Sequence, residues 1–317
     1  MDAYDRGMAI ARDEILRARE LIGSRLHRTP TLSCRSLGAH VFLKAELFQR
    51  TGSFKPRGML VAFASLSPEQ RSRGVVTWSA GNAAQGAALA AAQEGVACRV
   101  FMWRRANPTK VAATRAYGAE VDLEAEGPAQ AHERLLAYVA KTGATFVHPF
   151  DDPALQAGHA TLGLEVVEDV PDVHTVVVPV GGGGLIAGVA SAVGCRVVGV
   201  EPEGAATLTA ALAAGAPVPI EPRTMADGLG APITGEGTLE IVRERVDEIV
   251  LVDEEEIAEG VRFLYGRAKL ACEPAGAAAV AALLAGKVTS PAGAPVVAVV
   301  SGGNADLRSV AGILAGR

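Results

Sequence analysis

Four stretches of the chain set chemistry-bearing groups among small residues. In Thr51-Gly-Ser-Phe-Lys-Pro-Arg-Gly, Lys55 follows a short apolar run and precedes a proline. A lysine withdrawn from water loses its proton more easily, because desolvation disfavours the ammonium form, and the neutral amine is a nucleophile toward an aldehyde. On composition alone Lys44 and Lys110 have equal standing. The run Pro179-Val-Gly-Gly-Gly-Gly-Leu-Ile-Ala-Gly comes directly after a Val-rich stretch and before a helical one. Backbone of this kind closes tightly round an anion, and the helix start behind it adds free N–H groups and a positive dipole end. Trp78-Ser-Ala-Gly-Asn-Ala-Ala-Gln-Gly again leads into an Ala-rich helix, so Ser79, Asn82 and the amides near Gly81 and Ala83 can hold a carboxylate there. In Val300-Ser-Gly-Gly-Asn, Ser301 ends an apolar run and can present a hydroxyl at the carboxyl edge of a sheet.

These groups need a scaffold that brings strand ends together. Short apolar runs alternate with longer Ala-rich segments: Val41-Phe-Leu, Val75-Val-Thr-Trp, Cys98-Arg-Val-Phe-Met, Thr145-Phe-Val, Thr175-Val-Val-Val, Arg196-Val-Val-Gly-Val, Glu248-Ile-Val-Leu-Val and Val296-Val-Ala-Val-Val. That alternation predicts an α/β fold with parallel sheet covered on both faces. From Asp13 to Ile22, the residues Ile15, Ala18, Leu21 and Ile22 recur at helical spacing and predict an amphipathic helix. No linker or low-complexity tract divides the chain, so a second domain has to be an insertion. The β-α-β-α set from about Val75 to Lys141, followed by the returning loop His148-Pro-Phe-Asp-Asp-Pro, gives a smaller domain over 72–144. It is set into a larger one made of 1–71 and 145–317.

Composition limits what such a scaffold does. The chain has 317 residues, 49% of them hydrophobic, enough for a full core in one or two domains. No apolar run approaches the roughly 20 residues of a membrane helix, and Met1-Asp-Ala-Tyr-Asp-Arg lacks the layout of a signal peptide, so a cytoplasmic protein is expected. A net charge of −5 with no basic run offers no footprint for nucleic acid or an anionic membrane, leaving a small-molecule substrate. Cys34, Cys98, Cys195 and Cys272 form no CxxC pair, and no histidine has a partner at metal-ligand spacing. The glycine run matches neither GxxxxGK[ST] nor a GxGxxG fingerprint, which excludes the common nucleotide sites.

Taken in order, the motifs resemble the fold-type II pyridoxal-phosphate (PLP) enzymes, in their threonine/serine dehydratase and serine racemase branch. The resemblance runs from His27-Arg-Thr-Pro to Asn304. It includes Ser53-Phe-Lys-Pro-Arg-Gly, Ser79-Ala-Gly-Asn, His148-Pro-Phe-Asp-Asp-Pro, Pro179-Val-Gly-Gly-Gly-Gly-Leu, Gly199-Val-Glu-Pro-Glu, Ala226-Asp-Gly, Glu273-Pro-Ala-Gly-Ala and Ser301-Gly-Gly-Asn. It implies two parallel-sheet α/β domains, like the tryptophan synthase β chain, with the cofactor in the cleft between them, and a homodimer. By the same resemblance Lys55 holds PLP as a Schiff base and serves as the base at the substrate Cα. Gly181, Gly182, Gly183, Gly184 and Leu185 hold its phosphate, Asn82 its 3-oxygen and Ser301 its pyridine nitrogen. Phe54, Gly228 and Glu273 lie beside the ring, and Ser79, Gly81, Asn82 and Ala83 take the substrate carboxylate. The implied reaction removes the Cα proton and the β-hydroxyl of a small hydroxy amino acid, releasing a 2-oxo acid and ammonia.

The chain departs from the branch in informative places. Ala80 stands where racemases have a serine acting on the opposite face, which ranks a dehydratase above a racemase. Ala83 replaces a usual histidine and Gly158-His-Ala-Thr a usual Gly-Gln-Gly-Thr, so a 3-hydroxyaspartate dehydratase stays an alternative, with His159 either a substrate contact or a structural residue at a helix start. A divalent cation, Mg or Ca, would use Glu201, the carbonyl of Ala205 and the position of Thr207, where relatives have aspartate; Glu203 is the available substitute. Hard cations want several oxygen ligands including carboxylates, which makes this set weak. Asp227 reads as fixing its loop. From other classes come a non-catalytic PLP or amino-acid binder, which would not need Lys55, and a nucleotide protein, which lacks its fingerprint.

Overall fold

The computed structural model describes residues 10–316; the opening Met1–Arg6 stretch, read above as no signal peptide, lies outside them. Among the described residues, ten strands form two sheets. The strands are β1 (Thr31–Ser33), β2 (Val41–Ala45), β3 (Val75–Trp78), β4 (Cys98–Trp103), β5 (Glu120–Ala125), β6 (Thr145–Phe146), β7 (Thr175–Pro179), β8 (Arg196–Pro202), β9 (Glu248–Val252) and β10 (Val296–Val300). The larger sheet has the order β1-β2-β10-β7-β8-β9 and the smaller one β5-β4-β3-β6. This is the α/β architecture that the resemblance implies, with helices between the strands.

Every strand predicted from the apolar runs is present. β7 and β10 are buried along their whole length, as expected of valine-rich strands with both faces covered. Two strands were not foreseen. β5 reads Glu-Val-Asp-Leu-Glu-Ala and lies at the edge of the smaller sheet, where its charged residues escape burial. β1 has three residues and runs antiparallel to β2, pairing Thr31 with Lys44, so the larger sheet is parallel except at this edge. The N-terminal helix spans Arg12–Ile22 and buries Ile15, Ala18 and Ile22, but Leu21 is 38% exposed. At about 100° per residue, Leu21 falls roughly 90° from the centre of the stripe formed by Ile15, Ala18 and Ile22.

The topology collects the chemistry-bearing segments at strand ends. The turn carrying Lys55 follows β2, the glycine run follows β7 and Ser301 follows β10, all at carboxyl ends of adjacent parallel strands. Asn82 follows β3 of the smaller sheet and begins the helix Asn82–Glu94. That helix comes close to the lysine because residue 86 is glycine: a Cβ there would lie 3.1 Å from the Lys55 carbonyl carbon and the Pro56 nitrogen.

Candidate active site

Lys55 is the first residue of the helix Lys55–Ala64, with Pro56 in its first turn, where the missing N–H costs nothing. Its amine donates to the Pro149 carbonyl at 2.9 Å, and burial lowers its pKa to about 8. The other two lysines nominated from composition are spoken for. Lys44 is fully buried and pairs with Glu165 at 2.7 Å, and Lys110 pairs with Asp227 at 2.6 Å. Lys55 alone of the three has no carboxylate partner, so it is the one whose amine is released as a nucleophile near neutral pH.

Two residues beyond it, Arg57 anchors the helix. Its guanidinium is wholly buried and bonds Glu46 (2.8 and 2.9 Å) and Glu165 (2.7 and 2.9 Å), while the Thr29 hydroxyl donates to Glu46 at 2.5 Å. Burial opposes ionisation of Glu46, yet the Arg57 pairing outweighs it and holds that carboxyl below the usual range. Sequence reading saw Arg57 only as part of a motif, because its partners lie on separate segments.

A cavity of about 340 Å³ opens beside the Lys55 amine, within the range of small-molecule sites. Every residue given a cofactor or substrate role by the resemblance lines it: Phe54, Lys55, Ser79, Gly81, Asn82, Ala83, Gly181, Gly182, Gly183, Gly184, Leu185, Gly228, Glu273 and Ser301. The glycine run leads into the helix Gly184–Ala192. Gly183 sits at φ +88°, and a Cβ on Gly182 or Gly184 would collide with the ring or carbonyl of Phe150. Phe150 thus packs closely against this turn and leaves no room for side chains there. Among the described residues no protein acceptor takes the amides of Gly182, Gly183, Gly184 or Leu185. A turn of unpaired N–H groups ahead of a helix start, facing a cavity, fits the phosphate of PLP.

The loop from His148 to Pro153 supports this turn. The His148 Nδ1 accepts the Asp151 amide at 2.9 Å, and burial lowers its pKa to about 4, so the ring is neutral. Asp151 in turn accepts from the Thr238 hydroxyl at 2.8 Å, and Thr238 packs against Gly183. On the other wall, Asn82 donates to Glu273 at 2.5 Å, while the second oxygen of Glu273 is buried without a partner. Burial raises the Glu273 pKa to about 7; Lys110 and the Asn82 bond act against that, and Asp227 adds to it. Ser301 is 4% exposed with only a long contact to the Ala275 carbonyl, which leaves its hydroxyl available to the cavity.

One expectation changes. His159 is not at a helix start but in the middle of Pro153–Asp169; it is fully buried, with neither ring nitrogen bonded, and packs edge-on against Phe54 at 4.8 Å. Burial takes its pKa well below normal, and it does not line the cavity, so it acts as an apolar spacer behind Phe54. The residues considered for a divalent cation do not fit one. Glu201 accepts from the Leu208 amide (2.6 Å), the Thr209 amide (3.0 Å) and the Thr209 hydroxyl (2.7 Å), capping the helix Thr207–Ala214. Thr207 donates to the Ala231 carbonyl at 2.7 Å, Glu203 points to solvent, and no cluster of three metal-ligating side chains exists among the described residues.

The cavity's chemistry is matched by comparison with known proteins. The family model described as "Pyridoxal-phosphate dependent enzyme" matches residues 19–302. The L-threonine ammonia-lyase of Thermotoga maritima is 44% identical over 95% of this chain and 77% of its own length. The catabolic L-threonine dehydratase TdcB of Escherichia coli strain K12 is 41% identical over 98% of this chain and 97% of its own. Among solved structures, maize serine racemase superposes with a TM-score of 0.90 at 35% identity, covering 96% of each chain. With a lysine free of carboxylates, a cradle of unpaired amides and a family match over most of its length, this chain belongs to the pyridoxal-phosphate dependent enzymes.

Proposed function

We propose that the protein is a PLP-dependent lyase that deaminates a small hydroxy amino acid, L-threonine or L-serine, to a 2-oxo acid and ammonia. The observation that carries this reading is the Lys55 amine, withdrawn from water and without a carboxylate, beside a cradle of unpaired amides in one cavity. The relatives named for threonine deamination support the substrate class.

In this reading PLP, once bound, supplies the electron sink that lets the substrate Cα–H bond break. Gly181 to Gly184 and Leu185 hold its phosphate, Asn82 donates to its 3-oxygen, and Phe54, Gly228 and Glu273 bound its ring. Ser301 meets its nitrogen with a hydroxyl. Because a hydroxyl protonates that nitrogen far less than a carboxylate would, elimination is favoured over transamination. The turn Ser79–Ala83 orients the substrate carboxylate with the amides at the start of the helix Asn82–Glu94. Lys55, the residue that would hold the cofactor, would also take the proton from the substrate Cα, its lowered pKa matching the task near neutral pH.

Two features select among the alternatives. The cavity-lining residue at position 80 is alanine, which carries no proton, so a racemase lacks its second partner. Lys110, the cavity's other ammonium, is already neutralised by Asp227, which favours an uncharged substrate side chain over that of a 3-hydroxyaspartate. The proposal includes a homodimer, as the resemblance implies, and a cytoplasmic location, as expected from the sequence.

The test is release of 2-oxo acid by the PLP-loaded protein from L-threonine, L-serine, D-serine and the 3-hydroxyaspartates. Release from L-threonine or L-serine is expected. Inversion of serine without 2-oxo acid would move the protein to the racemases. Lys55→Ala is expected to fold, by circular dichroism, yet to lose both turnover and the protein-bound cofactor absorbance.

A further inference from the structure

The polarity of one side chain in the cavity is fixed from outside it. Asn304, four residues past the end of β10, donates from Nδ2 to the Thr51 carbonyl at 2.6 Å and to the Asn82 Oδ1 at 2.8 Å. A backbone carbonyl is an acceptor only, so the Asn304 atom facing it has to be nitrogen. The second hydrogen of that amino group then obliges Asn82 to turn its oxygen toward Asn304. Asn82 is left with its own amino group toward Glu273, to which it donates at 2.5 Å. One hydrogen of that group goes to Glu273 and the other remains for the cavity that Asn82 lines.

We infer that Asn304 is a positioning residue that makes Asn82 present a donor rather than an acceptor to the cofactor. The inference rests on the reading above that Asn82 faces the 3-oxygen of PLP. Without Asn304 only Glu273 would set that polarity, and a carboxyl with its pKa raised to about 7 accepts when ionised and donates when protonated, so the amide could then turn either way round; an acceptor facing the cofactor would repel an anionic oxygen.

The slot that holds Asn304 is built for it. Gly52 lies at φ +72°, and a Cβ on it would sit 2.4 Å from the Asn304 Oδ1. The Gly303 amide donates to the Gly52 carbonyl at 2.8 Å, and the Phe54 amide donates to the Ser301 carbonyl at 3.1 Å. The turn that carries Lys55 is thus bonded to the loop that carries Asn304, and Asn82, from the smaller sheet, is joined to that loop through Asn304.

The test is a double-mutant cycle on Asn82→Ala and Asn304→Asp, read by the PLP affinity of the cofactor-free proteins and by the absorption maximum of the bound cofactor. Aspartate keeps the shape of asparagine but cannot donate to Thr51 or Asn82. Asn304→Asp is expected to weaken PLP binding tenfold or more and to shift the absorption maximum in the same direction as Asn82→Ala. In the Asn82→Ala background it should add little. Full additivity, or an unchanged spectrum in Asn304→Asp while Asn82→Ala shifts it, would overturn the inference and leave the reading of Asn82 standing. Silence of Asn82→Ala would overturn that reading and the inference together. If Asn304→Asp does not fold, Asn304→Ala replaces it, with a smaller loss and the same dependence on Asn82.

Discussion

At the scale of single residues, the reactive group is defined by what it lacks. Three lysines compete on composition, and two of them are taken up by carboxylate partners. Lys55 has a carbonyl for company and a pKa lowered to about 8 by burial. A group so shifted is protonated below that value and neutral above it. Uptake of PLP by the cofactor-free protein requires the neutral amine, so its rate should climb about tenfold per pH unit below 8 and level off above it. Stopped-flow absorbance between pH 6 and 9.5 would follow it; a flat profile would show that the amine is already neutral throughout. The lysine, the glycine turn and the serine were legible in the sequence because each carries its meaning within a few neighbours. Asn304 was legible only as a letter in a motif, since its partners Asn82 and Thr51 are 222 and 253 positions away.

At the scale of elements, the helix Lys55–Ala64 is held by ions as well as by apolar contact. Its Arg57 satisfies two buried carboxylates at once, and Lys44 adds a second cation on Glu165. Removing one member of such a set leaves charges stranded in a medium that solvates them poorly. Arg57→Met should therefore cost about 3–5 kcal/mol of stability, measured by urea unfolding of the cofactor-free protein. A loss under about 1 kcal/mol would mean that water reaches Glu46 and Glu165 in the variant. None of this was visible as periodicity, because an ion network joining a turn, a helix start and a distant helix leaves no local pattern. The missed strand β5 teaches a related lesson. At a sheet edge charged residues are tolerated, so the apolar signature that revealed the central strands is absent.

At the scale of the whole molecule, the cavity is assembled from both sheets, and few polar ties join its two sides. Lys110, from the helix Pro108–Ala116 beside the smaller sheet, reaches Asp227 in a loop between β8 and β9 of the larger one. Both line the cavity, so the pair ties its walls together. Lys110→Met should raise KM several-fold with a smaller effect on kcat, and the KM of the native enzyme should rise with salt while that of the variant does not. Equal falls in kcat and kcat/KM would instead place Lys110 in the chemical step.

The order of strands also bears on how the molecule is made. β10 lies between β2 and β7, with Val296 against Val41 on one side and Thr175 on the other. The strands β2 and β7, which lead into the lysine turn and the glycine turn, are therefore not joined within the larger sheet until Val296–Val300 is made, although the helix Pro153–Asp169 already packs against the helices that follow both. The smaller sheet, complete by Phe146, can form well before then. A nascent chain must keep two unfinished sheet edges apart while 250 residues pass between β2 and β10, and the last strand to be synthesised is the one that closes the larger sheet and leads into Ser301.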